Sequence, residues 1–592
     1  MDKQDLRFKI QLLKLGGSAL YSAMKFLGEE KRRGSLISTI RGLIKERAIP
    51  NEMSWGDLLE ERAEMIPDKK FLLYNDEVFT YKQMNENANK VADFLKKHGG
   101  GKGRGLGVYM KNSPRVLDLF FGANKIGMYL VPMNPALMGD GLAYIINHSD
   151  IEFFALDAEI YENFKKISKD TKNLKYVIVD DIEEEAKEYK VQKSKKTLFL
   201  SEAFDPKMST ENPGVGYNLE DMSIIMYTSG TTGLPKGVVY RYSGTNIKLM
   251  GMMANLTLKE DDIYYTPLPL IHGNAFFITV TLSMLAKATV ALSRKFSASK
   301  FWEEVRGFDA TIFNALGSMI PILMKQPPKP SDSDNKVRYV MSAACPSEMW
   351  EEFERRYGVI IYEGYGAVDG GGKGIINFQT APVGSIGKPS KAMGEMRLID
   401  DNGNEVPQGE PGELIYKVSG KGKCEYYKNE KASNEKIKDG WLYTGDLIRK
   451  DEKGYFYFVG RNTESMRRGG ENVSAYEVEH VIMKHPAAEE VAVYAVPSEL
   501  AEDEIMASIR LVKGKKIQEK EIHDFLQDKL AKYAIPRYIR FVSEFNKTST
   551  HRIIKKELED MGITPDTFDS KAKPKSKVAS KPNKSKAKTK SK

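Results

Sequence analysis

At 592 residues the chain is too long for one hydrophobic core, so a large body with at least one further domain is expected. The net charge of +9 does not mark a nucleic-acid-binding body: residues 571–592 hold ten lysines and no acid, and the remainder is close to neutral. Two cysteines, Cys345 and Cys424, exclude a disulfide framework, no His/Cys cluster has zinc spacing, and a cytoplasmic protein is expected.

Residues 1–48 form a first region. Leu6, Ile10, Leu13, Leu20, Met24 and Leu27 recur at helical spacing among Lys9, Lys14, Lys25 and Lys31-Arg32-Arg33. Such a basic amphipathic stretch suits either a helix packed on the body or peripheral contact with an anionic membrane. No secretory signal pattern opens the chain. A helix is expected from Ser54, with Trp55, Leu58, Leu59 and Ala63 on its apolar face, followed by a hairpin in which 71–74 and 78–81 flank Asn75-Asp76.

Helix Tyr81–His98, strand Leu106–Met110 and helix Val116–Ile126 come next. Strand-like runs then alternate with helices: Ser223–Tyr227, Ile263–Thr266, Thr289–Leu292, Thr311–Asn314, Arg338–Ser342 and Val359–Tyr362. This alternation argues an α/β fold with parallel sheets covered on both faces. Ala275 to Leu292 is apolar but broken by Thr279, Thr281, Ser283 and Lys287, so it reads as a buried helix and strand rather than a membrane span.

Short strands and polar turns between Gly387 and Tyr457 suggest a small β-rich part. A compact α/β pattern comes after it: helix Val473–His485, strands Glu490–Val496 and Ile505–Val512, and helix Lys520–Leu530, ending near Met561. The expected division is therefore 1–48, a body over 49–460, a smaller mobile domain over 461–565, and a disordered lysine-rich tail over 566–592. That tail serves solubility or attraction to anionic lipid.

The stretch richest in chemistry is Tyr227-Thr228-Ser229-Gly230-Thr231-Thr232-Gly233-Leu234-Pro235-Lys236-Gly237-Val238. A strand delivers the chain into hydroxyls and glycines. Gly230 and Gly233 let backbone N–H groups approach an anion, Thr228, Ser229, Thr231 and Thr232 add donors, and Lys236 adds a charge suited to phosphate. The plain alternative is a polar turn between strand and helix. A Walker loop is excluded, because no Gly precedes Lys236 and no Ser or Thr comes after it.

This run resembles the phosphate-binding signature of the acyl-adenylate-forming (AMP-binding) superfamily, and the resemblance extends over roughly residues 50–560. It implies an AMP-forming acyl-CoA synthetase using ATP, coenzyme A and Mg2+. Glu363-Gly364-Tyr365-Gly366-Ala367-Val368-Asp369 is similar to the second signature. There Tyr365 would stack on adenine, and Asp369, together with Thr228, would serve the metal; Asp stands where the family usually has Glu, and Val368 where it has a hydroxyl.

Trp441-Leu442-Tyr443-Thr444-Gly445-Asp446-Leu447 matches the signature whose acid accepts the ribose hydroxyls, and Gly460-Arg461 matches the next, so Asp446 and Arg461 are expected on ribose. Thr463 falls on the hinge position. Gly469, Gly470 and Glu471 fall on the coenzyme A loop, and His272 on the position that gates the acyl pocket. Arg552 stands where the family's adenylation lysine belongs, keeping the charge with a different reach.

Phe296-Ser297-Ala298-Ser299-Lys300-Phe301-Trp302, Pro327-Pro328-Lys329-Pro330 and Met349-Trp350-Glu351-Glu352-Phe353 are similar to the fatty-acid transport and very-long-chain acyl-CoA synthetase branch. Arg468-Gly469-Gly470-Glu471-Asn472-Val473-Ser474 is similar to crotonobetaine/carnitine–CoA ligases. A medium- to long-chain fatty acid is the expected substrate, with crotonobetaine-like, aryl and bile acids as alternatives. Phe276, Phe277, Met319, Ile322 and Leu323 line an apolar tunnel or belong to the core. The departures at Val368, Asp369 and Arg552 leave open a binding protein of little turnover.

Overall fold

The first helix of the body shows how local chemistry sets the elements. In the computed structural model it spans Trp55–Met65, and the Ser54 side chain accepts from the Asp57 N–H while Asp57 reaches back to the Ser54 N–H. Such a reciprocal cap is worth about 1 kcal/mol. Trp55, Leu58, Leu59 and Ala63 are the buried face, as their spacing requires. Thr80 caps the helix Tyr81–Lys97 in the same way through Gln83.

The structure describes residues 53–572 apart from 215, 229–234, 243–246, 317–318, 371–373, 390–393, 419–423, 462–464, 469–470, 498–502, 528, 531 and 549–551. The amphipathic stretch expected over 1–48 and the tail from 573 lie outside the described residues. Two compact units are present: one runs to Thr463 and includes Lys547–Ile553, and the other comprises Glu464–Asn546 and the chain from Ile554.

The large unit is built on two mostly parallel sheets. The eight-stranded one runs in the order Gly374–Asn377, Ile361–Gly366, Tyr339–Ala343, Ile312–Leu316, Ile263–Thr266, Thr289–Leu292, Lys70–Tyr74, Glu77–Thr80, antiparallel only at its two edges. Asn75, at φ 50°, turns the expected edge hairpin. The seven-stranded sheet runs Thr197–Phe199, Tyr176–Asp180, Phe153–Asp157, Gly105–Tyr109, Tyr129–Pro132, Met222–Thr228, Lys236–Arg241, and only its last pair is antiparallel. The stretch expected as buried helix and strand forms a wide helical turn Asn274–Thr281, helix Leu282–Ala286 and strand Thr289–Leu292.

The β-rich part is a five-stranded antiparallel sheet centred on Trp441–Lys450, which pairs with Pro411–Lys417, Ile437–Lys438 and Phe456–Arg461. The second unit has a four-stranded sheet, Ala488–Pro497, Asp503–Leu511, Tyr538–Val542 and Phe568–Asp569, with helices Ala475–Met483 and Glu519–Leu526. Its last strand lies beyond the expected end near Met561. Arg537 pairs with both Asp569 oxygens at 2.9 and 3.0 Å, and the half-buried Phe568 packs on the unit's core, so the ordered fold outlasts the sequence's hydrophobic pattern. Among the described residues no helix is long and apolar enough to cross a membrane.

Candidate active site

The polar loop begins at the end of Met222–Thr228 and ends at the start of Lys236–Arg241, with Thr228 opposite Lys236 in an antiparallel register. The loop therefore leads into a strand and not a helix: Val238, Val239 and Tyr240 favour the pleated, half-buried surface they occupy. Gly237 is required there, since a β-carbon would lie 2.7 Å from Ile225 and 3.1 Å from the Tyr227 ring. Ser229, Gly230, Thr231, Thr232 and Gly233 lie outside the described residues, so the structure fixes only the base of this loop. Lys236 is exposed, and its Nζ stands 5.4 Å from the centroid of the Tyr426 ring.

Residues 425–427 pair along the other side of that strand, with the Val239 N–H donating to the Glu425 carbonyl and the Tyr427 N–H to the Gly237 carbonyl. The Tyr426 hydroxyl then donates to Asp369 Oδ2 at 2.7 Å. Lys436 Nζ approaches the same oxygen at 2.8 Å and also donates to the Thr444 carbonyl at 3.1 Å. Burial by itself raises the Asp369 pKa, but Lys436 and Tyr426 outweigh it, and the carboxyl is held below its ordinary range.

Gly445, at φ 76°, occupies the left-handed region where only glycine is unstrained, next to a bulge that breaks the register of Trp441–Lys450. The kink brings the Gly445 N–H to Glu413 and the Asp446 N–H to the Thr444 hydroxyl. Asp446, 4 % exposed, accepts from the Tyr365 hydroxyl at 2.7 Å and lies 3.4 Å from Arg461 Nε, its ladder partner. Burial raises its pKa against the lowering effects of Tyr365 and Arg461. Tyr365, Asp446 and Arg461, far apart in sequence, thus form one contact group, and Asp369 and Lys436 adjoin it electrostatically.

Gly364 and Gly366 continue the strand Ile361–Gly366 toward this group. The Glu363 side chain turns into the fold: it is 3 % exposed, accepts from the Ala344 and Cys345 N–H groups, and is pushed up to about 7 by burial. It braces the turn after Tyr339–Ala343, a use that its place in the signature does not reveal.

His272 opens the wide helical turn, its carbonyl accepting from the Phe276 N–H. Burial, with the charge of Arg552 adding to it, lowers the ring's pKa to about 4, so the imidazole is neutral at pH 7. Arg552 is exposed and belongs to the segment Lys547–Ile553 of the large unit. Of the five expected tunnel residues, Phe276, Met319 and Leu323 are buried core, whereas Phe277 and Ile322 are half-buried. Phe277 lies against Gly273 and packs 5.7 Å from Trp55 and 5.5 Å from Tyr240, ring to ring.

In the second unit Arg468 pairs with Glu504 at 3.0 Å, and Ser465–Arg468 runs antiparallel to Glu471–Ser474. Gly469, Gly470, the Glu471 side chain and the hinge candidate Thr463 lie outside the described residues. Among the described residues no group of three or more His, Cys, Asp or Glu side chains is arranged to hold a metal. Asp369 nevertheless fits Mg2+, which is usually bound by one or two carboxylates plus substrate phosphates. Its carboxyl is ionised, and both contacts described for it fall on one oxygen, Oδ2.

Lys436 and Tyr426 are the residues that sequence reasoning missed. Each carries a polar end on an otherwise ordinary position, and the only hint was that Lys436 lies just before the hairpin into Asp446.

The AMP-binding enzyme family matches residues 59–424, and the family of AMP-binding enzyme C-terminal domains matches 477–552. The crotonobetaine/carnitine–CoA ligase of Salmonella typhimurium (strain LT2) is 30 % identical over 524 residues, covering 85 % of this chain and 98 % of its own. Among solved structures, the anthranilate CoA ligase AuaEII in complex with anthranoyl-AMP is similar with a TM-score of 0.76 at 26 % identity, covering 87 % of this chain and 98 % of that one. The Mycobacterium tuberculosis fatty acyl CoA synthetase has a TM-score of 0.64 at 25 % identity, with coverages of 86 % and 97 %.

Proposed function

The chain belongs to the AMP-binding enzyme family and is an AMP-forming acid–thiol ligase, and we propose that its acid is a medium- to long-chain fatty acid, activated as an acyl-adenylate and passed to coenzyme A. The observation that carries the nucleotide half of this reading is the Tyr365–Asp446–Arg461 contact group beside Asp369. A carboxylate is acceptor-only, so Asp446 can take both hydroxyls of a ribose while Tyr365 and Arg461 hold it in place. Lys236, Thr228 and the loop between them would receive the triphosphate. Mg2+, held by Asp369, would neutralise phosphate charge.

Neutral His272 can donate to the acid's carboxylate without becoming a permanent counter-ion, and Arg552 supplies the cation that charge development on phosphorus needs. Support for an apolar acid comes from the half-buried Phe277, five residues after His272, with Tyr240 and Trp55 against it. A second reading, a compact aryl or betaine-like acid, is favoured by a polar set between the same helical turn and the strand Ile312–Leu316. There Asn314 donates to Asn274 and, at 2.9 Å, to Thr279, while its own buried carbonyl oxygen has no hydrogen-bond partner among the described residues.

The test is a panel of fatty acids, crotonobetaine, benzoate, anthranilate and a bile acid, each supplied with ATP, Mg2+ and coenzyme A. The expected result is AMP and pyrophosphate with kcat/KM highest for a fatty acid. A preference for crotonobetaine or an aryl acid selects the second reading, and ADP among the products overturns the mechanism.

A further inference from the structure

Lys436 is held on both sides of its backbone. It is the last residue of the helix Glu430–Lys436, whose start is capped by Asn429 accepting from the Ala432 N–H at 3.0 Å. The next two residues pair with Trp441 and Leu442. The side chain is 13 % exposed and ends between Asp369 and the Thr444 carbonyl. An ammonium is withdrawn from water at such a place only when it is paired, so this is a specific position and not a solvated surface lysine.

Its surroundings are those of the nucleotide site. The charge of Lys436 acts on Asp446 and Glu413 as well as on Asp369. Tyr426, which shares Asp369 Oδ2 with Lys436, is also the ring over which Lys236 lies. Lys436 therefore meets this carboxylate directly, and Lys236 is linked to it through the Tyr426 phenol. We propose that Lys436 is a resident cation of the nucleotide site that shares Asp369 with the divalent ion, so that ATP binding here depends less on Mg2+ than it would around a lone carboxylate.

Two effects act in the same direction. The ammonium cancels part of the field that Asp369 presents to a second cation, and it supplies positive potential to a triphosphate that arrives without metal. Lys436 is thereby a positioning residue, fixing the Asp369 carboxylate at Oδ2. The inference rests on the nucleotide-site reading, and its test separates the two.

ATP affinity is measured by calorimetry in EDTA and in excess MgCl2, for the full chain and for Lys436→Met and Lys436→Arg. The unsubstituted chain is expected to lose no more than about tenfold in affinity on metal removal. Lys436→Met is expected to widen that gap by about tenfold or more, chiefly through weaker binding in EDTA, which is the scale of one charge near a phosphate. Lys436→Arg is expected to restore the narrow gap, which a merely structural role for the side chain would not predict. Lys436→Gln, which can still donate to the Thr444 carbonyl, replaces the methionine variant if that protein does not fold. An unchanged gap in the neutral variant, with ATP still bound, overturns the inference alone. Absence of ATP binding by the unsubstituted chain in both buffers overturns the nucleotide-site reading and the inference with it.

Discussion

Two sets of acids in the large unit behave differently. Just after the strand Ile361–Gly366, Asp369 touches a cation of the β-rich part directly, with Lys436 at 2.8 Å, and is held below its ordinary range although it is mostly buried. At the ends of Phe153–Asp157 and Tyr176–Asp180, Asp157, Asp180 and Glu183 share a small cavity with Arg294, and burial pushes them up to about 6, 7 and 7. The short contact of Arg294, at 3.1 Å, goes to Glu159; Asp157 and Glu183 are 3.8 and 4.0 Å away. Asp157 Oδ1 and Asp180 Oδ2 have no hydrogen-bond partner among the described residues. At Asp369 the contact with Lys436 and the Tyr426 hydroxyl outweighs desolvation, whereas in the second group the cation is farther from Asp157 and Glu183 and the acids repel one another.

The strongest way to break this contrast is to remove the distant cation. Arg294→Met leaves acids without their principal counter-charge, so the protein should lose about 3–5 kcal/mol at pH 8, less at pH 5.5 where the acids take up protons. Urea unfolding at the two pH values measures it. A loss below about 1 kcal/mol at pH 8 would mean that Arg294 does not compensate the cluster.

Arg552→Ala tests the proposal that this cation serves the substrate rather than a resident acid. Acyl-adenylate formation should slow by about 10²–10³, the scale of one transition-state donor. Thioester formation from supplied acyl-adenylate should change little, and Arg552→Lys should recover the first step. Pyrophosphate exchange and single-turnover assays track the two halves. Adenylation at the parental rate would assign the charge to another residue.

The smallest effect sharpens the comparison by pH. Asp180 is raised from 3.8 to about 7, so the folded chain holds its proton where the unfolded chain does not. Stability from this group is complete below 3.8 and is lost as pH rises through 7. Asp180→Asn, a mimic of the protonated form, should therefore stabilise the protein by about 1 kcal/mol or more at pH 8 and by less at pH 5. Asp369 has the opposite sign, its contribution being present above 3.8 and lost only as pH falls below that. Thermal melts across pH 5–8 read the slope, and an equal effect at both ends would show that Asp180 titrates normally.

Periodicity and motif order determined much of this protein. The strands Ile263–Thr266 and Thr289–Leu292 and the buried face of Trp55–Met65 are where alternation and helical spacing put them, because one face of each must leave water whatever its neighbour is. The order of the signatures named the family. Tertiary structure alone decided that Glu363 turns inward, that Phe276, Met319 and Leu323 are core, and that Phe568–Asp569 extends the second sheet. It also decided that a lysine at the end of the short helix Glu430–Lys436 meets Asp369, 67 residues earlier in the chain. Local patterns report which face is apolar. They carry no information on which distant charge arrives beside a buried carboxylate, because that depends on strand register and on how separate elements pack together.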